Sequence, residues 1–184
     1  MNKKNHKKGQ VWVETVIYTL IAFSLIAAVL AFVKPKIDEL QDKAVIEQSI
    51  GLMKDLDSKV REVIQGGSGN KRILDVSIKE GSLIIDGIND EIVFEMESKY
   101  VYSELGEVIS EGNLLIKTEK KMGSNMVTIN RSYVADKFNV TYNLEDKLKT
   151  LTKASTSYKI SIINRGKIGD APETEKWNID VELG

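Results

Sequence analysis

From Val11 to Val33 every residue is apolar or hydroxyl-bearing except one acid, Glu14, and the run stops at Lys34-Pro35-Lys36. At about 1.5 Å of rise per residue it predicts a helix of roughly 35 Å, long enough to cross the ~30 Å hydrocarbon layer of a bilayer. Beyond it the pattern stays helical but becomes one-sided. Ile46, Ile50, Met53, Val60 and Ile64 recur at helical spacing, with Leu52, Leu56 and Val63 on an adjoining stripe. Residues 34–65 therefore predict an amphipathic extension whose apolar side covers a core. Pro35 removes a helical hydrogen bond and predicts a kink near the junction, and Gly51 marks a candidate second bend. Gly66-Gly67-Ser68-Gly69-Asn70 supplies residues that end a helix.

From Lys71 the period changes to two. Leu74, Val76 and Ile78 alternate with polar residues, as do Ile92, Phe94 and Met96; Val127 and Ile129; Phe138, Val140 and Tyr142; Tyr158, Ile160 and Ile162; and Trp177, Ile179, Val181 and Leu183. Adding 83–85 and 114–117 gives about eight or nine short strands, half-buried and antiparallel, separated by turn residues such as Asp86-Gly87 and Gly123-Ser124-Asn125. Residues 144–151 fit helix or strand. The predicted class is α+β: a long N-terminal helix, transmembrane in its first half and amphipathic in its second, packed on an antiparallel, sandwich-like β domain. The predicted parts are a basic leader (1–9), an apolar helix (10–33), its extension (34–65), a Gly-rich turn (66–70) and the β domain (71–184).

Charge changes the picture at the N-terminus. The 184 residues carry a net −1, but Lys3, Lys4, Lys7 and Lys8 all precede Gly9, so residues 10–184 hold 22 basic against 27 acidic side chains, a net of −5. Nothing in that balance favours nucleic acid. Positive charge before the apolar run and a long mixed-charge body after it predict a single-pass protein with a cytoplasmic N-terminus and an extracellular C-terminal domain. The small residue suited to a peptidase, Gly9, stands on the lysine side of the run, so cleavage there would leave the helix on the mature chain; a secretory signal is cut at its far end.

Lys7-Lys8-Gly9-Gln10 followed by Glu14 and the apolar run resembles the class III signal peptide of archaeal type IV pilins and archaellins. Gln10 and Glu14 match the family's first and fifth mature positions, while Trp12 and Tyr18 stand where it usually has Ser and Leu. The resemblance implies cleavage after Gly9 by a prepilin peptidase and assembly with copies of itself or other pilin-like subunits into an adhesive cell-surface filament. It also implies pairing of Glu14 with the Gln10 amine of a neighbouring subunit.

Candidate chemistry elsewhere is sparse. The single histidine, His6, lies in the leader, cysteine is absent, and no phosphate-loop or ligand spacing occurs, so no catalytic, cofactor or metal residues and no enzyme activity are expected. Asn130-Arg131-Ser132 and Asn139-Val140-Thr141 are sequons on polar strand phases, candidate N-glycosylation sites. Tyr100 and Tyr102 share a face of an expected strand starting at Lys99 and, with Trp177, suit either an adhesive surface or the core. A membrane-anchored, non-polymerising binding domain stays open as the alternative function.

Overall fold

The computed structural model describes residues 6–184, with side chains from Val11 onward. One helix, α1 (His6–Gln65), leads into ten strands, and the chain separates into two compact units, residues 1–40 and 41–184. The helix is unbroken through Pro35 and Gly51. Within the second unit a four-stranded sheet has the order β1-β9-β10-β7 (β1 Lys71–Val76, β7 Phe138–Tyr142, β9 Tyr158–Ile168, β10 Lys176–Leu183). A six-stranded sheet has the order β4-β5-β6-β3-β2-β8 (β2 Ser82–Asp86, β3 Glu91–Ser98, β4 Val108–Glu111, β5 Leu114–Lys120, β6 Asn125–Ser132, β8 Leu148–Thr152).

The helical stripe packs as its spacing predicts. Ile46, Ile50, Met53, Leu56, Val60 and Val63 are buried in one cluster with residues of both sheets, among them Leu83, Phe94, Ile129, Ile160, Ile162 and Val181. The second half of α1 is thus part of the core. Its first turns lie by the ends of β3 and β6, where Lys99 N donates to Asp42 Oδ2 at 2.5 Å and Asn125 Nδ2 donates to the Lys99 carbonyl at 3.3 Å. Its last turn lies by β9, where the fully buried Asn164 donates from Nδ2 to the Val63 carbonyl at 3.1 Å. That bond satisfies one of the carbonyls a helix end leaves open, and Gly67 at φ 84° turns the chain out of the helix. The second unit therefore has a root end, at Gln41, and a tip end, at Gln65.

A charged group interrupts the apolar stripe. Asp57, largely buried, accepts from Arg131 Nε on β6 at 2.6 Å, from Arg61 Nε at 3.1 Å and from Asn113 Nδ2 at 3.1 Å. Arg131 also donates to Asp136 and to the Ser132 carbonyl, and its guanidinium lies 4.3 Å from the centre of the Tyr133 ring. Burial pushes the Asp57 carboxyl up, but the bonds from Arg131, Arg61 and Asn113 outweigh it and hold the group below the usual carboxylate value. Burial pulls the Arg131 guanidinium down, and its bonds to Asp136 and Asp57 more than restore it. The network is an internal tie between helix and sheet.

Two expectations need correction, and one segment left open is resolved. β7 and β10 pair in parallel, although the other pairings among the named strands are antiparallel. Alternation sets which face is buried but is blind to strand direction. Residues 144–151 open as a turn and continue as β8, which pairs with β2; Leu151 is buried while Leu144 and Leu148 face solvent, so their helical spacing reflects no helix. No strand begins at Lys99. Residues 99–107 instead pass close to α1, with Lys43 Nζ 5.7 Å from the Tyr100 ring centre and the Tyr102 hydroxyl donating to Glu111 Oε1 at 2.7 Å. Helical hydrogen bonding continues through Gly51, with buried Ile50 and Met53 on either side of it.

Candidate membrane-anchor and assembly helix

Among the described residues, the apolar half of α1 is exposed throughout, from Val11 to Val33. Its most apolar 18-residue window has a mean hydropathy of 2.6 and no buried residue. Large side chains stand out along it, including Trp12, Tyr18, Phe23 and Phe32. Monomeric soluble proteins rarely expose a contiguous apolar patch beyond a few hundred Å², so a surface of this kind marks contact with lipid or with other chains. Its hydroxyls are already satisfied: Thr15 donates to the Val11 carbonyl at 2.9 Å, Thr19 to Thr15 at 2.8 Å and Ser24 to Leu20 at 2.8 Å. In hydrocarbon an unmatched donor costs several kcal/mol, so these internal bonds let the helix enter an apolar phase. The segment is a candidate membrane anchor.

Polar groups bound it at both ends. Trp12, near the start, has the amphipathic ring suited to a membrane interface. At the other end Lys36 pairs with Glu39 at 2.8 Å on the exposed helix surface. Glu14 lies in the second described turn of the segment, on the same continuous helix. Lys3 and Lys4 lie outside the described residues. Lys7, Lys8, Gly9 and Gln10 are described only as helical backbone, so the expected scissile bond falls inside α1.

The other expected positions are dispersed. Asn130 is half-buried, with Nδ2 donating to Glu91 Oε2 at 2.7 Å and Oδ1 enclosed without a hydrogen-bond partner. A glycan on Nδ2 would replace one of its two hydrogens, leaving a single N–H for Glu91. Asn139 is half-buried on β7 opposite Asn178 of β10. The aromatic residues do not converge: Tyr100 and Tyr102 meet edge-on, with centroids 6.5 Å apart, near the root end. Trp177 is near the tip, where Lys167 Nζ lies 5.3 Å from its ring centre. Burial and the bond to Glu111 push the Tyr102 hydroxyl up to about 12. The Asp57–Arg131 tie was missed in the sequence, although Asp57 occupies the stripe position between Met53 and Val60 and Arg131 continues the phase of Val127 and Ile129.

No family model matches this chain, and no curated protein or solved structure matches it.

Proposed function

We propose that this chain is an archaeal type IV pilin-like subunit of a cell-surface filament, cut after Gly9 and assembled through residues 10–33 for adhesion or surface attachment. The observation that carries the reading is the bare apolar helix headed by Lys7-Lys8-Gly9-Gln10 and Glu14. Before assembly the helix rests in the membrane; in a filament its flanks are covered by the same segment of neighbouring copies. A carboxylate is costly in such an apolar bundle unless it meets a cation, and the amine freed on Gln10 of an adjacent copy is one. The partners are then the membrane, a prepilin peptidase and copies of this chain or related subunits. The β domain faces the outside under the positive-inside rule.

A plain single-pass anchor carrying a ligand-binding β domain is the second reading, favoured by one observation: Trp12, at the head of the helix, has the amphipathic ring that holds a helix at a bilayer interface and stands where the pilin pattern usually has Ser. Two measurements decide between them. The mature chain is expected to begin at Gln10 by mass spectrometry of protein from native membranes, and Gly9→Leu is expected to keep the leader attached. A leader retained on the wild-type chain, in cells that process other pilins, removes the main support for the filament reading.

Glu14→Gln keeps the shape and removes the charge. It is expected to leave insertion and cleavage intact and to lower the yield of sheared, pelletable filament severalfold relative to membrane-bound subunit. Undiminished yield would show that Glu14 does not pair across subunits. Absence of filaments from the wild type under varied growth conditions would favour the anchor.

A further inference from the structure

The strand connections of the second unit are sorted by charge. Those at the tip end (66–70, 87–90, 112–113, 133–137, 143–147 and 169–175) hold seven acids and two lysines, a net of −5. Those at the root end (77–81, 99–107, 121–124 and 153–157) hold three acids and four lysines, a net of +1. Four of the tip acids are neutralised within the fold: Asp90 by Lys176, Asp136 by Arg131, Glu145 by Lys147 and Glu175 by Lys167. Asp146, Asp170 and Glu173 are exposed and make no ion pair among the described residues. Asp170 and Glu173 belong to one projecting turn, closed by the bond from Thr174 N to the Ala171 carbonyl at 3.0 Å.

At the root end an open groove of about 520 Å³ runs along α1. Gln41, Ala44, Val45 and Gln48 form one wall, and the β1–β2 and β8–β9 connections form the other, bringing Lys79 and Lys153 to it. Ala44 and Ala154 give it depth by their small side chains. Lys153 is held by Glu80 at 3.6 Å; Lys79 is exposed and makes no ion pair among the described residues. The groove falls within the ~300–1,000 Å³ typical of ligand-sized sites. Its lining combines a mixed apolar and amide wall with two lysines and one acid, Glu80, already matched by Lys153, so that the charge of Lys79 is left over; this suits an acidic turn carrying a proline better than a purely apolar helix.

We propose that the groove of one copy receives the β9–β10 connection of the next, with Asp170 and Glu173 set against Lys79 and Lys153 and Pro172 against Ala44 and Val45. The proposal rests on the reading of this chain as a polymerising subunit and adds a second, domain-level contact to the one made by the apolar helix. A contact between opposite ends of identical copies is heterologous, and when its rotation does not close it builds an open filament. Opposed charges at such an interface set register and exclude reversed neighbours more than they add affinity, and salt weakens them.

Cysteine is absent, so engineered pairs report only themselves. In cells making the full chain, Lys79→Cys and Glu173→Cys placed on separate copies are expected to give a cross-linked dimer under a mild oxidant or short bifunctional thiol reagent. Both on one chain should give a ladder, and neither alone should cross-link. Separately, Lys79→Glu/Lys153→Glu and Asp170→Lys/Glu173→Lys should each lower sheared filament about five- to tenfold relative to membrane-bound subunit, and the combined variant should regain most of it. Wild-type filaments together with no cross-link would overturn the end-to-end contact while leaving the filament reading intact. Cross-links without any filament would keep the contact and overturn the filament reading. Loss of filament by the lysine reversals that the acid reversals do not restore would mean that the lysines face another anion, such as lipid headgroups, and would overturn the pairing.

Discussion

A chain beginning at Lys71 is expected to lack a cooperative thermal transition, whereas one beginning at Gln41 is expected to be soluble, β-rich and cooperatively folded. The difference is residues 41–70. They bring six core side chains, Ile46, Ile50, Met53, Leu56, Val60 and Val63, each buried against the strands. At about 1.5–3 kcal/mol per fully buried aliphatic side chain their loss is on the order of 10–20 kcal/mol, against a typical total stability of about 5–15 kcal/mol. Removal also exposes the inner residues Phe94, Ile129 and Ile162 and leaves Arg131 without Asp57. Differential scanning calorimetry of the two chains checks this; equal melting temperatures would mean that the sheets hold their core without the helix.

Arg131→Met is expected to cost about 3–5 kcal/mol, because it leaves a mostly buried carboxylate without its shortest partner. For a unit of this size that is a fall of roughly 10 °C in Tm. Arg61 and Asn113 remain on Asp57 and soften the loss. The double variant Asp57→Leu/Arg131→Met removes both charges, and its cost should be clearly smaller than the two single costs combined, the mark of direct coupling in a double-mutant cycle. Additive costs would show that the pair is not energetically coupled. The sign of the pH dependence follows from the lowered Asp57 carboxyl. Its contribution is fully present above the unfolded value of about 3.9 and is lost as pH falls through the lower folded value. Wild type and Asp57→Asn should therefore differ most near neutrality and converge in strong acid, measured by urea unfolding at a series of pH values.

Local periodicity made much of this molecule readable. The helix and most strands follow from which positions are apolar, since a covered face must recur every 3.6 or every two residues. Strand direction did not follow, because the partner of β7 is chosen by the path of the chain, and β10 meets it in parallel after 33 intervening residues. Tyr100 and Tyr102 alternate as a strand would, yet that segment is drawn to α1 through Asp42 and Lys43. The buried tie was half visible. Asp57 and Arg131 each occupy an apolar phase, and a charge there asks for a partner, but their separation of 74 positions hides which one. The apolar helix was legible because its environment is set by composition rather than by contacts within the chain.

The small sheet is closed by strands made long after its first one. β1 pairs with β9 from Lys71↔Ile163 onward, and β10 is an interior strand between β9 and β7. Asn164 binds the end of α1 across 101 residues. During synthesis, then, the apolar segment leaves the ribosome far ahead of the strands that its helical continuation needs. Loop-closure entropy over such separations slows folding. The second unit cannot reach its native state until β10 has been made. Loss of β10 would leave an unfinished sheet, with the hydrogen-bonding edges of β7 and β9 unpaired and open to proteases, rather than a slightly shorter domain.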